Sequence, residues 1–469
     1  MKYCAKAAFL LCVVICFPLG AACSGRGNGG QLNSGVPVAG NSAESPANVR
    51  PVKTAKNYLP ASVVTWPGAS CSLHPEGSAN PAEAIPVFAD DDGVARFYAV
   101  RASAEDVTRR LSLDCRDEEG RAGTYPVDLE SEFTFQTQEP IVAASSDSLR
   151  PALIGDPQQY SQSELLQAGY GLRPDPAKNP GAYAHWLKGA TRPLRLVKSK
   201  ARELPVSFGP TVSQTGIPCF LCHWTPTTTN VWDPNWGGPA LMGGVFVPTF
   251  ALATAQIQVP RAIPGGDGTI NANGGIWTGV GGNSDNATPN PLIQSGVAIL
   301  TSPSAASYTA FVQYWPAQSN AHGLFQVNPN DTISAEAWSC DSSGIVNANG
   351  GYGCFWLWDE TTGQYQTCNS SASPTCPPVH GTGGFNGSTA EFLFEKPPGS
   401  DYLPDYFCCA VITGSAEDSQ GNWHNFSTDN IDLFQLYGYG TGSFEQLEFI
   451  HILSSNQVQF SFNERSGGH

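Results

Sequence analysis

The chain has 469 residues, of which 14% are charged, with 50 glycines and 37 prolines. That is room for two or three domains, in a mix that suits a turn-rich β protein better than a helical one. The net charge of −16 lies late in the chain: residues 211–469 carry 3 Lys+Arg (Arg261, Lys396, Arg465) against 19 Asp+Glu, and the first 210 residues balance. A domain that acidic repels a phosphate backbone, which excludes nucleic acid as a partner, and it suits work in acid.

Lys2 and Lys6 precede an apolar run over residues 7–19 that is too short to span a bilayer comfortably. Small residues Gly20-Ala21-Ala22 then lead to Cys23. The segment 1–22 reads as a signal peptide and resembles a bacterial lipoprotein signal, with Cys23 as the lipidated first mature residue. Ordinary cleavage and free secretion is the alternative. Both export the protein, to the cell envelope or beyond it, with membrane attachment through the N-terminal lipid in the first case.

Residues 23–58 are rich in Gly, Ser and Pro without periodicity and read as a flexible tether. Residues 59–140 read as a small β domain, with a hairpin in which 85–88 and 94–98 flank the turn Asp90-Asp91-Asp92-Gly93. That acidic turn lacks the other ligands of a calcium loop. Residues 141–215 read as partly helical. Ser161 and Glu164 form a capping box, Gly169 is a stop, and a second helix starts at Asn179-Pro180 with Tyr183, Trp186 and Leu187 on one face. Lys188, Arg192, Arg195, Lys198, Lys200 and Arg202 make this stretch basic just before the acidic part, as a prosegment docking on an acidic cleft would be.

From residue 216 to the end, short alternating runs recur between turns. Residues 246–250, 256–259, 308–315, 332–338, 355–358, 431–437 and 458–462 read as strands, the pattern of an antiparallel β-sandwich. Two further runs bear on chemistry. In 292–299, Ile293, Val297 and Ile299 share one face and Gln294 lies on the other with Gly296 and Ala298. In 389–397, Phe392 and Phe394 face one way and Glu391, Leu393 and Glu395 the other. Each strand has an oily side for a core and a polar side with room above it.

Ten cysteines follow Cys23, an even number for an oxidising compartment. Proximity pairs Cys71 with Cys115, Cys340 with Cys354 and Cys368 with Cys376, and leaves Cys219, Cys222, Cys408 and Cys409 to sort among themselves. Cys219-Phe220-Leu221-Cys222-His223 has the spacing of c-type haem attachment, but its Pro- and Thr-rich flanks favour a local disulfide, and no cofactor is expected. No GxSxG, HExxH, phosphate loop or nucleotide fingerprint occurs.

Several motifs stand in one order: Asn235-Trp236-Gly237-Gly238, Gln258-Val259-Pro260, Trp277-Thr278-Gly279-Val280-Gly281, Ile293-Gln294-Ser295-Gly296-Val297, residues 308–316, Asn330-Asp331-Thr332-Ile333, Thr361-Thr362-Gly363-Gln364 and residues 390–397. Together they resemble the glutamic peptidases, or eqolisins, over residues 216–469 only. The resemblance implies a concanavalin- or lectin-like jelly roll that cleaves protein or peptide substrates in acid, as a monomer. It implies Gln294 and Glu391 as the catalytic pair and Trp236 and Trp277 as aromatics that grip substrate. A glutamate would take the proton of water and return it to the leaving nitrogen, and a glutamine amide would stabilise the oxyanion. Gly281, Ala298, Val312 and Gln313 stand where the family carries other, mostly polar residues. A degenerate sandwich that binds peptide or glycan at the cell surface is the alternative.

Overall fold

A computed structural model describes residues 58–78, 84–100, 111–127, 149–209, 228–243, 249–263, 272–282, 290–302, 304–369, 375–400, 402–439 and 444–462. The signal segment, the tether, Cys23 and the cysteine pair at 219 and 222 lie outside these residues.

Apart from the run 246–250, whose residues 246–248 lie outside the described residues, the alternating runs form strands, and the strands form two large sheets packed face to face, as expected of a sandwich. The first sheet runs in the order Tyr58–Val64, Val94–Val100, Ala305–Trp315, Leu292–Thr301, Asn273–Gly281, Thr389–Glu395, Trp236–Met242, Ile431–Tyr439, Thr228–Asp233. The second runs Glu448–Ser454, Gln457–Phe462, Ala410–Asp418, Phe250–Gln258, Thr332–Cys340, Tyr352–Asp359, Gln364–Cys368, Leu194–Leu196, Leu149–Arg150. Pairing is antiparallel except at Thr228–Asp233 beside Ile431–Tyr439 and at Gln364–Cys368 beside Leu194–Leu196. Ile276, Ile293, Val297, Phe392 and Phe394 from the first sheet meet Ile257, Ile333, Phe355, Leu357 and Ile412 from the second in one buried core. Burying such aliphatic and aromatic side chains stabilises by about 1.5–3 kcal/mol each, so this layer dominates the fold.

Residues 149–200 cover the outer face of the second sheet. Ser161 and Glu164 cap the helix Gln162–Gln167 reciprocally, and Gly169 takes φ 81° to end it. The helix Pro180–Ala190 starts on Asn179, whose side chain accepts from the Ala182 N–H. Leu166, Leu172 and Leu194 pack on Trp338, Trp356 and Tyr365. Gly171 passes so close that a Cβ there would come within 2.6 Å of the Glu336 carboxylate and 2.8 Å of Trp356. Glu336 in turn accepts the Leu172 N–H at 2.9 Å.

The N-terminal β region differs from the expected hairpin. The turn forms, with Gly93 at φ 79° and its N–H on Asp90 O at 2.9 Å. Its two arms then part. Ile85–Phe88 joins a four-stranded sheet with Ser70–Pro75, Leu111–Arg116 and Ala122–Val127, while Val94–Val100 pairs with Tyr58–Val64. Through Tyr98 and Ala99, beside Ala306 and Ala305, it extends the first large sheet. Asp91 accepts the N–H groups of Lys198 and Ser199 at 2.8 and 2.9 Å, and Asp92 meets Arg195 at 2.8 Å. The acidic turn thus holds the basic stretch, and Lys188 pairs with Glu360 at 2.5 Å. The three expected disulfides are present, and Cys408 is bonded to Cys409.

Burial pushes the carboxyls of Glu336 and Glu448 up to about 8 and those of Asp359 and Glu417 up to about 7. A carboxyl raised on folding contributes stability that is complete below its unfolded value and lost as pH climbs through the folded one. Despite their burial, Asp418 (bonded by Asn422 and His424) and Glu360 (bonded by Lys188 and Gln256) are lowered and oppose this only in stronger acid. The melting temperature is expected to be highest near pH 5 and to fall toward pH 8. Glu336→Gln should flatten that fall, and a melting temperature rising between these pH values would contradict it.

Candidate active site

The register of the first sheet places the two singled-out side chains in one row. Gly279 of Asn273–Gly281 stands opposite Gln294 on one side and opposite Glu391 on the other. The row continues to Gln313 beyond Gln294 and to Ala240 and Asp432 beyond Glu391. Two antiparallel steps separate the Cα atoms of Gln294 and Glu391 by about 10 Å, with both side chains on the face away from the core. Gly279 lets the strands approach closely between them: a Cβ there would meet the Ile293 carbonyl at 2.7 Å and Gln294 Cβ at 3.1 Å. Both residues are fully buried.

Their burial comes from the chain itself. Residues 204–209 form a strap across this face. Leu204, Val206 and Phe208 are buried in one apolar cluster with Trp236, Trp277, Phe311, Leu393 and Phe434. The strap begins as a continuation of edge pairing: Glu203 lies beside His322, the Leu204 N–H reaches Ala321 O at 2.8 Å, and the Ala321 N–H reaches Val206 O at 2.9 Å. Side chains of the floor then take over the main-chain groups, since buried backbone must find partners. Gln313 Oε1 accepts the Phe208 N–H at 3.0 Å and Gln313 Nε2 donates to Ser207 Oγ at 3.0 Å. Gln294 Nε2 donates to the Phe208 carbonyl at 2.7 Å and to Gln313 Oε1 at 3.3 Å. Glu395 Oε1 accepts the Gly209 N–H at 3.1 Å. Gln294 Oε1 has no hydrogen-bond partner among the described residues.

Glu395 lies on the same strand face as Glu391, opposite Gly275 and Trp236. Its second oxygen accepts from Trp277 Nε1 at 2.9 Å. Burial pushes its carboxyl well above the usual glutamate range, with the charge of Asp233 adding to this and the bonds from Gly209 and Trp277 pulling back. Trp236 and Trp277 meet edge to face at 5.7 Å, fully buried beside it.

The structure thus brings together Gln294, Glu391, Trp236 and Trp277 on one face, while Cys23 lies outside the described residues. Lys188 and Arg192 meet Glu360, Arg195 meets Asp92 and Lys200 meets Glu118; what lies in the cleft is the apolar segment after them. Leu204, Val206 and Phe208 alternate with Pro205 and Ser207, and that two-residue period was the available signal for an extended strap. In the sequence Gln313 stands out only as a departure from the family pattern, because nothing local in its strand tells which residue it will face.

The ring of Phe208 lies over Gly275, where a Cβ would meet it at 2.4 Å. Gly275→Ala is therefore expected to dislodge the strap while sparing the sheet. Neutral trypsin should cut around Arg202 faster than in wild type, and an unchanged cutting rate would show that the strap does not rest there.

Residues 234–459 match the Peptidase A4 family model. Similar solved structures include scytalido-glutamic peptidase with a transition-state analogue inhibitor (17% identity, TM-score 0.35, 49% of this chain and 99% of that one). The aspergilloglutamic peptidase from Aspergillus niger is another (18% identity, TM-score 0.31, 41% of this chain and 99% of that one). No curated protein matches the chain. By this match, which spans just under half of the chain, residues 234–459 are a glutamic-type peptidase domain similar to the Peptidase A4 family.

Proposed function

We propose that the protein is an exported, acid-active endopeptidase in which Gln294 and Glu391 hydrolyse the peptide bonds of protein substrates, with residues 141–215 as its prosegment. The observation that supports this most is the 2.7 Å bond from Gln294 Nε2 to a main-chain carbonyl, in the row that Glu391 shares. A donor already seated on a peptide oxygen is what oxyanion stabilisation needs, and an amide provides it without adding charge.

In this reading Glu391 takes a proton from water as its oxygen attacks the carbonyl carbon, while Gln294 holds the carbonyl oxygen as it gains charge. The C–N bond then breaks and Glu391 returns the proton to the leaving nitrogen. The second amide atom of Gln294, Oε1, is an acceptor for the attacking water. Trp236 and Trp277 furnish the apolar floor on which a substrate side chain would lie. The disulfides support an oxidising destination, and an acylated Cys23 would tether the enzyme to the cell envelope.

Casein digestion between pH 2 and 7 tests the reading. Gln294→Ala and Glu391→Gln should each lower the rate by about a hundredfold or more, with cooperative thermal unfolding retained. Digestion by both variants at the wild-type rate would remove the pair from the mechanism, and binding of casein without turnover by wild type would make the sandwich a binding module.

A further inference from the structure

The peptide unit between Phe208 and Gly209 is held at both ends. Its carbonyl accepts from Gln294 and its N–H donates to Glu395. In a trans peptide these two groups point in opposite directions. Gln294 and Glu395 accordingly come from the two strands that flank Asn273–Gly281, so the peptide bridges the middle strand. Gly275, opposite Glu395, leaves space beneath, and the Phe208 ring lies 4.6 Å from that of Phe311. On the peptidase reading, the strap lies where a peptide substrate would, with the Phe208 carbonyl on the oxyanion donor Gln294.

We infer that Glu395 is a substrate-positioning residue, accepting the N–H on the leaving side of the same peptide bond whose carbonyl Gln294 holds. This rests on the peptidase reading and adds to it a second carboxyl group with a separate task. Glu391 and Glu395 lie four residues apart on one strand, about 13 Å between Cα atoms. They do not substitute for one another: Glu391 shares the row of Gln294, and Glu395 takes the nitrogen side of the bond. Trp277 fixes the Glu395 carboxyl group by bonding one oxygen, which leaves the other to accept an N–H. A bond whose nitrogen lacks hydrogen, as before proline, would lose this contact and leave a buried acceptor empty.

The test compares a quenched fluorescent peptide containing Phe-Gly with its ester analogue, in which glycolate replaces glycine and the N–H is gone. Both are given to the full-length chain in acid. Glu395→Ala should lower kcat/KM on the amide by about ten- to a hundredfold and leave the ester within about threefold of wild type. Glu395→Gln keeps one acceptor for two donors, so its amide loss should be smaller, again absent on the ester, and it carries the comparison should the alanine variant not fold. Equal losses on both substrates, or none, would overturn the inference. If wild type cleaves neither substrate, the peptidase reading falls, and hydrogen exchange still decides the clamp. Exchange at the Gly209 amide should rise about tenfold or more in Glu395→Ala, and unchanged protection would overturn it.

Discussion

One position without a side chain governs this architecture. Gly279 lies between Gln294 and Glu391 across three adjacent strands, and any Cβ there would strike the Ile293 carbonyl. The sheet places an amide and a carboxyl on the same face because strand side chains alternate with a period of two. No side chain stands between them on that face, and the close approach of the strands there allows none. The oily reverse of the same strands is fixed by the inter-sheet core, so a slip of one residue in either strand would carry the pair into hydrocarbon.

Much of this was legible in the sequence, and for a definite reason. The alternation in 292–299 and 389–397 assigns faces unambiguously, because Ile293, Val297, Phe392 and Phe394 cannot share a side with Gln294 and Glu391. Helix starts were equally plain at Ser161 and Asn179, where capping is a matter of a few neighbouring residues. The partners were not legible. Nothing local in Gln313 says that it faces Gln294, nor in Asp91 that it will hold the backbone at Lys198 and Ser199, since both depend on contacts across roughly a hundred residues or on sheet order. The hairpin expected around Asp90–Gly93 shows the limit: its turn is local and formed, while the pairing of its arms is set by strands elsewhere.

Charge was expected to bring the N-terminal part onto the acidic domain, and the contacts divide that task. Ion pairs and Asp91 fasten residues 188–200 at the edge of the molecule. In the cleft itself the strap is held by apolar burial and by side chains that satisfy its backbone. The distinction matters physically. Exposed ion pairs weaken with salt, and those made by carboxylates weaken as these take up protons; buried apolar contacts and amide hydrogen bonds change little.

The covering of the outer face of the second sheet by residues 149–200 has a bearing on maturation. Leu166, Leu172 and Leu194 seal Trp338 and Trp356, and the Leu172 N–H is bonded to Glu336. Scission of the backbone after the strap would sever the covalent connection without freeing this cover, because its departure would strip an indole-rich surface and leave a carboxyl without its donor. A molecule cut there would stay a nicked, two-piece particle until this cover is lost, its leading fragment held by packing and no longer by the chain.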